Sequence, residues 1–147
     1  MPSLSILARP VTLALALAVL APALGCAGQP QFRPHAPSVT SELVRVEFLE
    51  QDEDIFKFMV YSRSNQPMVI LRDKVFLLLD GQRIARNPGG LKSTYDLPPG
   101  GTHDVNVAYD LEHLREAGEF SISFETAIAK NGEPIAGPVV HFSRATD

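Results

Sequence analysis

The 147-residue chain has no tryptophan and a single cysteine. One cysteine cannot close a disulfide within the chain, so a scaffold stapled by disulfides is excluded. Positive charge is in the minority, 13 Lys and Arg against 17 Asp and Glu, and no basic cluster marks a nucleic-acid face. No apolar run reaches the roughly 20 residues that a membrane-spanning helix needs; the run Val11 to Leu20 has ten and Pro22 follows it. Signatures of chemistry are absent as well. There is no GxSxG elbow for a nucleophilic serine, no HExxH or HxH pair, no GKS phosphate loop, and no oxygen-ligand spacing of a calcium loop. The four histidines, His35, His103, His113 and His141, are scattered, and strand alternation aims His103 and Asp104 at opposite faces. The carboxylates of Glu50, Asp52, Glu53 and Asp54 read as a solvated turn. These absences predict a chain with no catalytic residues, no metal, no cofactor and no nucleic-acid partner.

What is present starts with a targeting signal. A short basic stretch ending at Arg9, the apolar run, and small residues ahead of Cys26 have the layout of a secretory signal over residues 1–25. The stretch Ala23-Leu24-Gly25-Cys26 resembles the lipobox of bacterial lipoproteins, with Ala and Leu in swapped order. That resemblance implies a diacylglycerol thioether on Cys26 and acylation of the new amino group. With Ala27 next, it also implies sorting to the outer membrane, with the body facing the periplasm. Two or more acyl chains, at about 0.8 kcal/mol per buried methylene, attach a protein stably where one chain is marginal. Removing residues 1–25 takes away Arg9 and no acidic residue, so the net charge moves from −4 to −5.

The mature chain divides by composition. Residues 26–40 are rich in proline, with Pro30, Pro34 and Pro37 spaced against a helix or a central strand. They read as a solvated tether that includes Phe32, Arg33 and His35. From residue 41 to 144 the apolar period becomes two, the mark of strands. Val44, Val46 and Phe48 share a face, as do Phe56, Phe58 and Val60, with the acidic turn 51–54 between them. Asp80-Gly81 and Asn131-Gly132 are hairpin signals. Val105, Val107 and Tyr109 point inward, and Phe120, Ile122, Phe124, Thr126 and Ile128 lie on one side of a single strand. Asp110 to Gly118 predicts a helix of about two turns crossing between sheets.

Strands at such intervals predict an all-β fold, an antiparallel β-sandwich of seven or eight strands with one short crossover helix. The Ser62 to Pro67 turn, the Asp80-Gly81 hairpin, Leu97-Pro-Pro-Gly100 ahead of a valine-rich strand, and the Phe120 strand resemble small immunoglobulin-like domains of bacterial envelope lipoproteins. The resemblance implies a fold and a place, and the fold itself selects no activity.

Apolar residues on the outward parity supply the candidate interface. Ile55, Met59 and Tyr61 oppose the inward face of one strand, and Phe76 and Leu78 that of another; a contiguous patch of them would dock an envelope protein partner, through that face or by adding a strand at an edge. The alternative is a small-ligand or glycan receptor using loops 87–93 and 98–103, with Asn87, Tyr95 and His103 as the lining residues.

Overall fold

The computed structural model describes residues 28–90 and 92–146. These residues form an all-β body of thirteen strands in three antiparallel sheets. Sheet I runs β1 (Phe32–Pro34), β13 (Val139–Arg144), β10 (Glu119–Ser123), β6 (Phe76–Leu79) and β7 (Gln82–Ile84). Sheet II runs β2 (Ser38–Thr40), β3 (Val44–Asp52), β4 (Ile55–Ser62) and β9 (Thr102–Ala108). Sheet III runs β12 (Glu133–Ile135), β11 (Ile128–Lys130), β5 (Met68–Leu71) and β8 (Thr94–Leu97).

The alternation in the sequence is what fills the interior. Val44, Val46, Phe56, Phe58, Val60, Val105 and Val107 are all buried from sheet II. Phe120, Ile122, Val140, Phe142 and Leu77 are buried from sheet I. The two faces meet in an aromatic cluster, where Phe120 and Phe142 stack at 5.1 Å and Phe56 sets its ring edge-on to both, at 5.7 and 5.5 Å. Such pairs add about 0.5–1.5 kcal/mol each beyond the area they bury. Met68, Ile70, Leu97 and Ile128 bring sheet III into the same core.

The strand count exceeds the seven or eight that the sequence predicts, because strands turn corners that alternation does not reveal. The run from Phe120 to Ile128 is two strands rather than one: β10 ends at Ser123, a turn follows, and β11 continues in a different sheet. Gly137 allows this corner. A Cβ there would stand 2.0 Å from the Phe124 carbonyl oxygen, so only glycine lets the chain pass. A 3-10 turn at Arg72–Lys74 likewise moves the chain from sheet III to sheet I. The Asp80-Gly81 and Asn131-Gly132 hairpins form as the sequence signals, with φ of 50° and 77° at the first and 54° and 76° at the second.

Two expectations are corrected. Residues 32–34 and 38–40 are strands, so this part of the predicted tether belongs to the body. Phe32 is 4% exposed and meets Phe120 edge-on at 4.6 Å, and Gln51 clamps the segment by accepting from Phe32 N–H and donating to the Pro30 carbonyl, both at 2.9 Å. Prolines tolerate this because β1 and β2 are edge strands. The crossover helix is a single turn, α1 (Leu111–Leu114). Asp110 caps it by accepting from Glu112 N–H at 3.0 Å. Its far end stops because the Arg144 side chain takes the Leu114 and Ala117 carbonyls, at 3.1 and 3.0 Å.

Candidate functional site

The predicted interface residues do not form one patch. Ile55, Met59 and Tyr61 lie on the outer face of β4 in sheet II, and Phe76 and Leu78 on the outer face of β6 in sheet I. Since the inner faces of these sheets meet in the core, the two groups point away from each other. All five are half-buried. Arg45 covers the Tyr61 ring at 3.8 Å, and Arg83 covers Phe76 at 4.8 Å. Leu49, 48% exposed at the irregularity between Phe48 and Glu50 in β3, is the exposed large hydrophobe among the described residues.

Of the predicted ligand-loop residues, two converge. The rings of Tyr95 and His103 stack at 4.4 Å with 30° between their planes, closing the seam between the edges of sheets III and II. Asn87 stands elsewhere: its N–H donates to Ala108, at the other end of β9. Five residues of strand separate Ala108 from His103, roughly 17 Å at 3.4 Å per residue. Cys26 lies outside the described residues.

Strands β8 and β9 flank this seam and end their sheets differently. In β9, Ser62 N–H donates to Gly101 and sets which pairs bond across to β4, so Asp104, Asn106 and Ala108 turn their backbone groups to the open side. Those three carbonyls are taken: His103 Nδ1 donates to Asp104 at 2.6 Å, Arg72 Nε to Asn106 at 2.7 Å, and Asn87 N–H to Ala108 at 2.8 Å. The β8 edge has no such cover. Arg72 N–H bonds Ser93, which places Tyr95 and Leu97 in the ladder with β5 and turns the N–H and C=O of Thr94 and Asp96 outward. Among the described residues nothing pairs with those four groups.

Beside the β8 edge the outer face of sheet III is concave. Val69 and Leu71 of β5, Asp96 of β8 and Ala129 of β11 form the floor of a cleft of about 510 Å³. Pro67, Pro98 and Pro99 stand at the end of these strands where the Asn131-Gly132 turn also lies, because β11 and β8 both run antiparallel to β5. Its lining is apolar except for Asp96 and Asn131. No aromatic side chain lines it. The sequence signal was the run Met68 to Leu71, four consecutive apolar residues, which buries Met68 and Ile70 and leaves Val69 and Leu71 for the other face.

The remaining chemistry is structural. Burial pushes the Tyr109 phenol well above its usual range near 10.0, and its hydroxyl donates to the Val75 carbonyl at 2.8 Å. The acidic turn is bridged by Lys57, whose ammonium reaches Glu50 at 2.8 Å and Asp52 at 3.4 Å. Those bonds, Glu50 first, raise the lysine pKa. Among the described residues no three His, Cys, Asp or Glu side chains gather as a metal-binding group, and no helix is long and apolar enough to cross a membrane. Compared with known proteins, the chain matches no family model, no curated protein and no solved structure.

Proposed function

We propose that this chain is a non-catalytic binding module of the bacterial cell envelope, attached to the outer membrane through lipid on Cys26. We read its body as a variant of the immunoglobulin-like sandwich whose strands are broken at the corners. The partner is a protein. An extended segment of that partner pairs with the outward groups of Thr94 and Asp96 and lays an apolar side chain over Asp96 into the cleft above Val69 and Leu71.

The observation that carries this reading is the juxtaposition of a strand edge, unpaired among the described residues, with an apolar recess. Strand addition takes affinity from main-chain hydrogen bonds and selectivity from a recess for alternate side chains. At β9 the outward carbonyls of Asp104, Asn106 and Ala108 are already occupied, and at β12 and β1 a proline, Pro134 and Pro34, interrupts the edge.

The test uses the full chain in solubilised envelopes of the cells that make it. Asp96→Pro removes one outward N–H without touching the ladder to β5, and it abolishes retention of the partner. Asp96→Ala, which keeps the N–H, retains it. Leu71→Asp, which places a charge in the recess, weakens it at least tenfold. Equal retention by Asp96→Pro and Asp96→Ala overturns the strand-pairing reading, as does native mass spectrometry that finds the cleft filled by a small molecule. Mass spectrometry of the N-terminal peptide tests the anchor separately: an acylated Cys26 is expected, and an unmodified thiol contradicts it.

A further inference from the structure

On the outer face of sheet I the fold brings together two histidines that stand 106 positions apart in the sequence, His35 and His141. The register of β1 on β13 pairs Pro34 with Phe142, so the next residue, His35, falls opposite His141, and its N–H donates to the His141 carbonyl at 2.8 Å. Residues directly opposite on neighbouring strands hold their Cβ atoms about 5 Å apart. The two exposed rings have their centres 6.0 Å apart and their planes inclined by 31°.

We propose that His35 and His141 form a two-imidazole site for a divalent transition-metal ion. Two rings that each coordinate one ion at about 2.1 Å can have centres up to roughly 6.5 Å apart, so the observed spacing is already within reach. Each ring is also held by a serine. His35 Nε2 meets Ser143 Oγ and His141 Nδ1 meets Ser121 Oγ, both at 2.6 Å. With those nitrogens donating to the serine oxygens, the lone pairs of His35 Nδ1 and His141 Nε2 are left for the metal, the outer-shell arrangement that orients ligating histidines. The charged residues of the adjacent row, Arg33 and Glu119, flank Ser143 on either side and offset one another.

The same Ser121–His141 pair has the form of a nucleophile and base. No carboxylate orients the ring among the described residues, and the face is open to water, so the pair lacks what such chemistry requires. As a metal site it has two protein ligands, fewer than the four of a closed structural zinc site, with the remaining positions open to water. Imidazole donors place Cu²⁺ ahead of Zn²⁺. A bound ion would link β1 to β13 and so fasten to the body the segment that leads back toward Cys26.

The test is calorimetric titration of the full chain, carrying Cys26→Ser so that its thiol adds no ligand, with Cu²⁺ and separately with Zn²⁺. One ion per chain is expected, with Cu²⁺ bound more tightly. His35→Ala and His141→Ala each lower the affinity at least about tenfold, and the double substitution lowers it no further. Ser121→Ala and Ser143→Ala weaken binding about tenfold by releasing the rings. Both histidines are exposed, so the metal-free variants melt with the parent and a folding defect is separable from lost ligation. Affinity unchanged by His35→Ala and His141→Ala, or lowered equally by His113→Ala on α1, overturns the proposal.

Discussion

Strands β8 and β9 follow one another through the turn at residues 98–101, and each ends a sheet, yet one edge is covered and the other open. At β9 an arginine side chain, a histidine ring and a loop N–H occupy successive outward carbonyls. At β8 the outward groups of Thr94 and Asp96 have no partner among the described residues. Exposed edges invite pairing with other chains, and natural sheets cover them with side chains, prolines or loops. Cover on one edge and none on its neighbour, where an apolar recess opens beside it, is the contrast on which the proposed docking at β8 rests.

The largest expected contrast is in stability. Tyr109, wholly buried just beyond β9, ties that strand to Val75. Tyr109→Ala is expected to cost about 3–5 kcal/mol in urea denaturation, as truncation of a buried aromatic does. Tyr95→Ala on β8 loses a half-buried ring and its stack on His103, about 1 kcal/mol. Equal losses would mean that both strands are held alike.

Arg72 provides the next comparison. Its guanidinium reaches the carbonyls of Asn106, Gly89 and Lys92, so it both covers β9 and shapes the loop ahead of β8. Arg72→Ala should cost about 1 kcal/mol and, by uncovering a second edge, promote self-association in sedimentation velocity. A destabilised chain that stays monomeric would show that Arg72 shapes the loop without protecting the edge.

Alkaline titration gives a smaller effect. The folded Tyr109 phenol has its pKa raised by burial, so the unfolded chain loses that proton first as pH rises. The stability that the buried neutral phenol provides is whole below about pH 10 and falls above it. Tyr109→Phe removes that part of the alkaline decline, and an unchanged slope in the variant would place the sensitivity elsewhere. The mildest probe perturbs nothing: in amide hydrogen exchange, Thr94 and Asp96 exchange quickly while Tyr95 and Leu97, bonded to β5, are protected.

How much of this was legible in the sequence follows from what alternation encodes. It reports which side chains face inward, so Phe56, Phe58, Val60, Val105 and Val107 are read correctly, and the Asp80-Gly81 and Asn131-Gly132 turns announce themselves through their positive φ. It does not report which sheet a strand joins. The corners at residues 72–74 and 124–127 therefore went unseen, and Met59 and Phe76 looked like neighbours although they lie on opposite sheets. Prolines at 30, 34 and 37 gave a tether because they forbid central strands, but they permit the edge strands that form. The stacking of Tyr95 on His103 and the pairing of His35 with His141 are long-range consequences of register, beyond the reach of local pattern.

The most direct measurement places a photoreactive side chain at Val69, on the floor of the cleft, and in a second strain at Asn106 on β9, and illuminates the living cells. A discrete adduct with one protein from position 69, lost on adding Asp96→Pro and lacking from position 106, is the predicted result. Adducts of the same protein from both positions, or from position 106 alone, would contradict the claim that the open edge of β8 is where this chain binds.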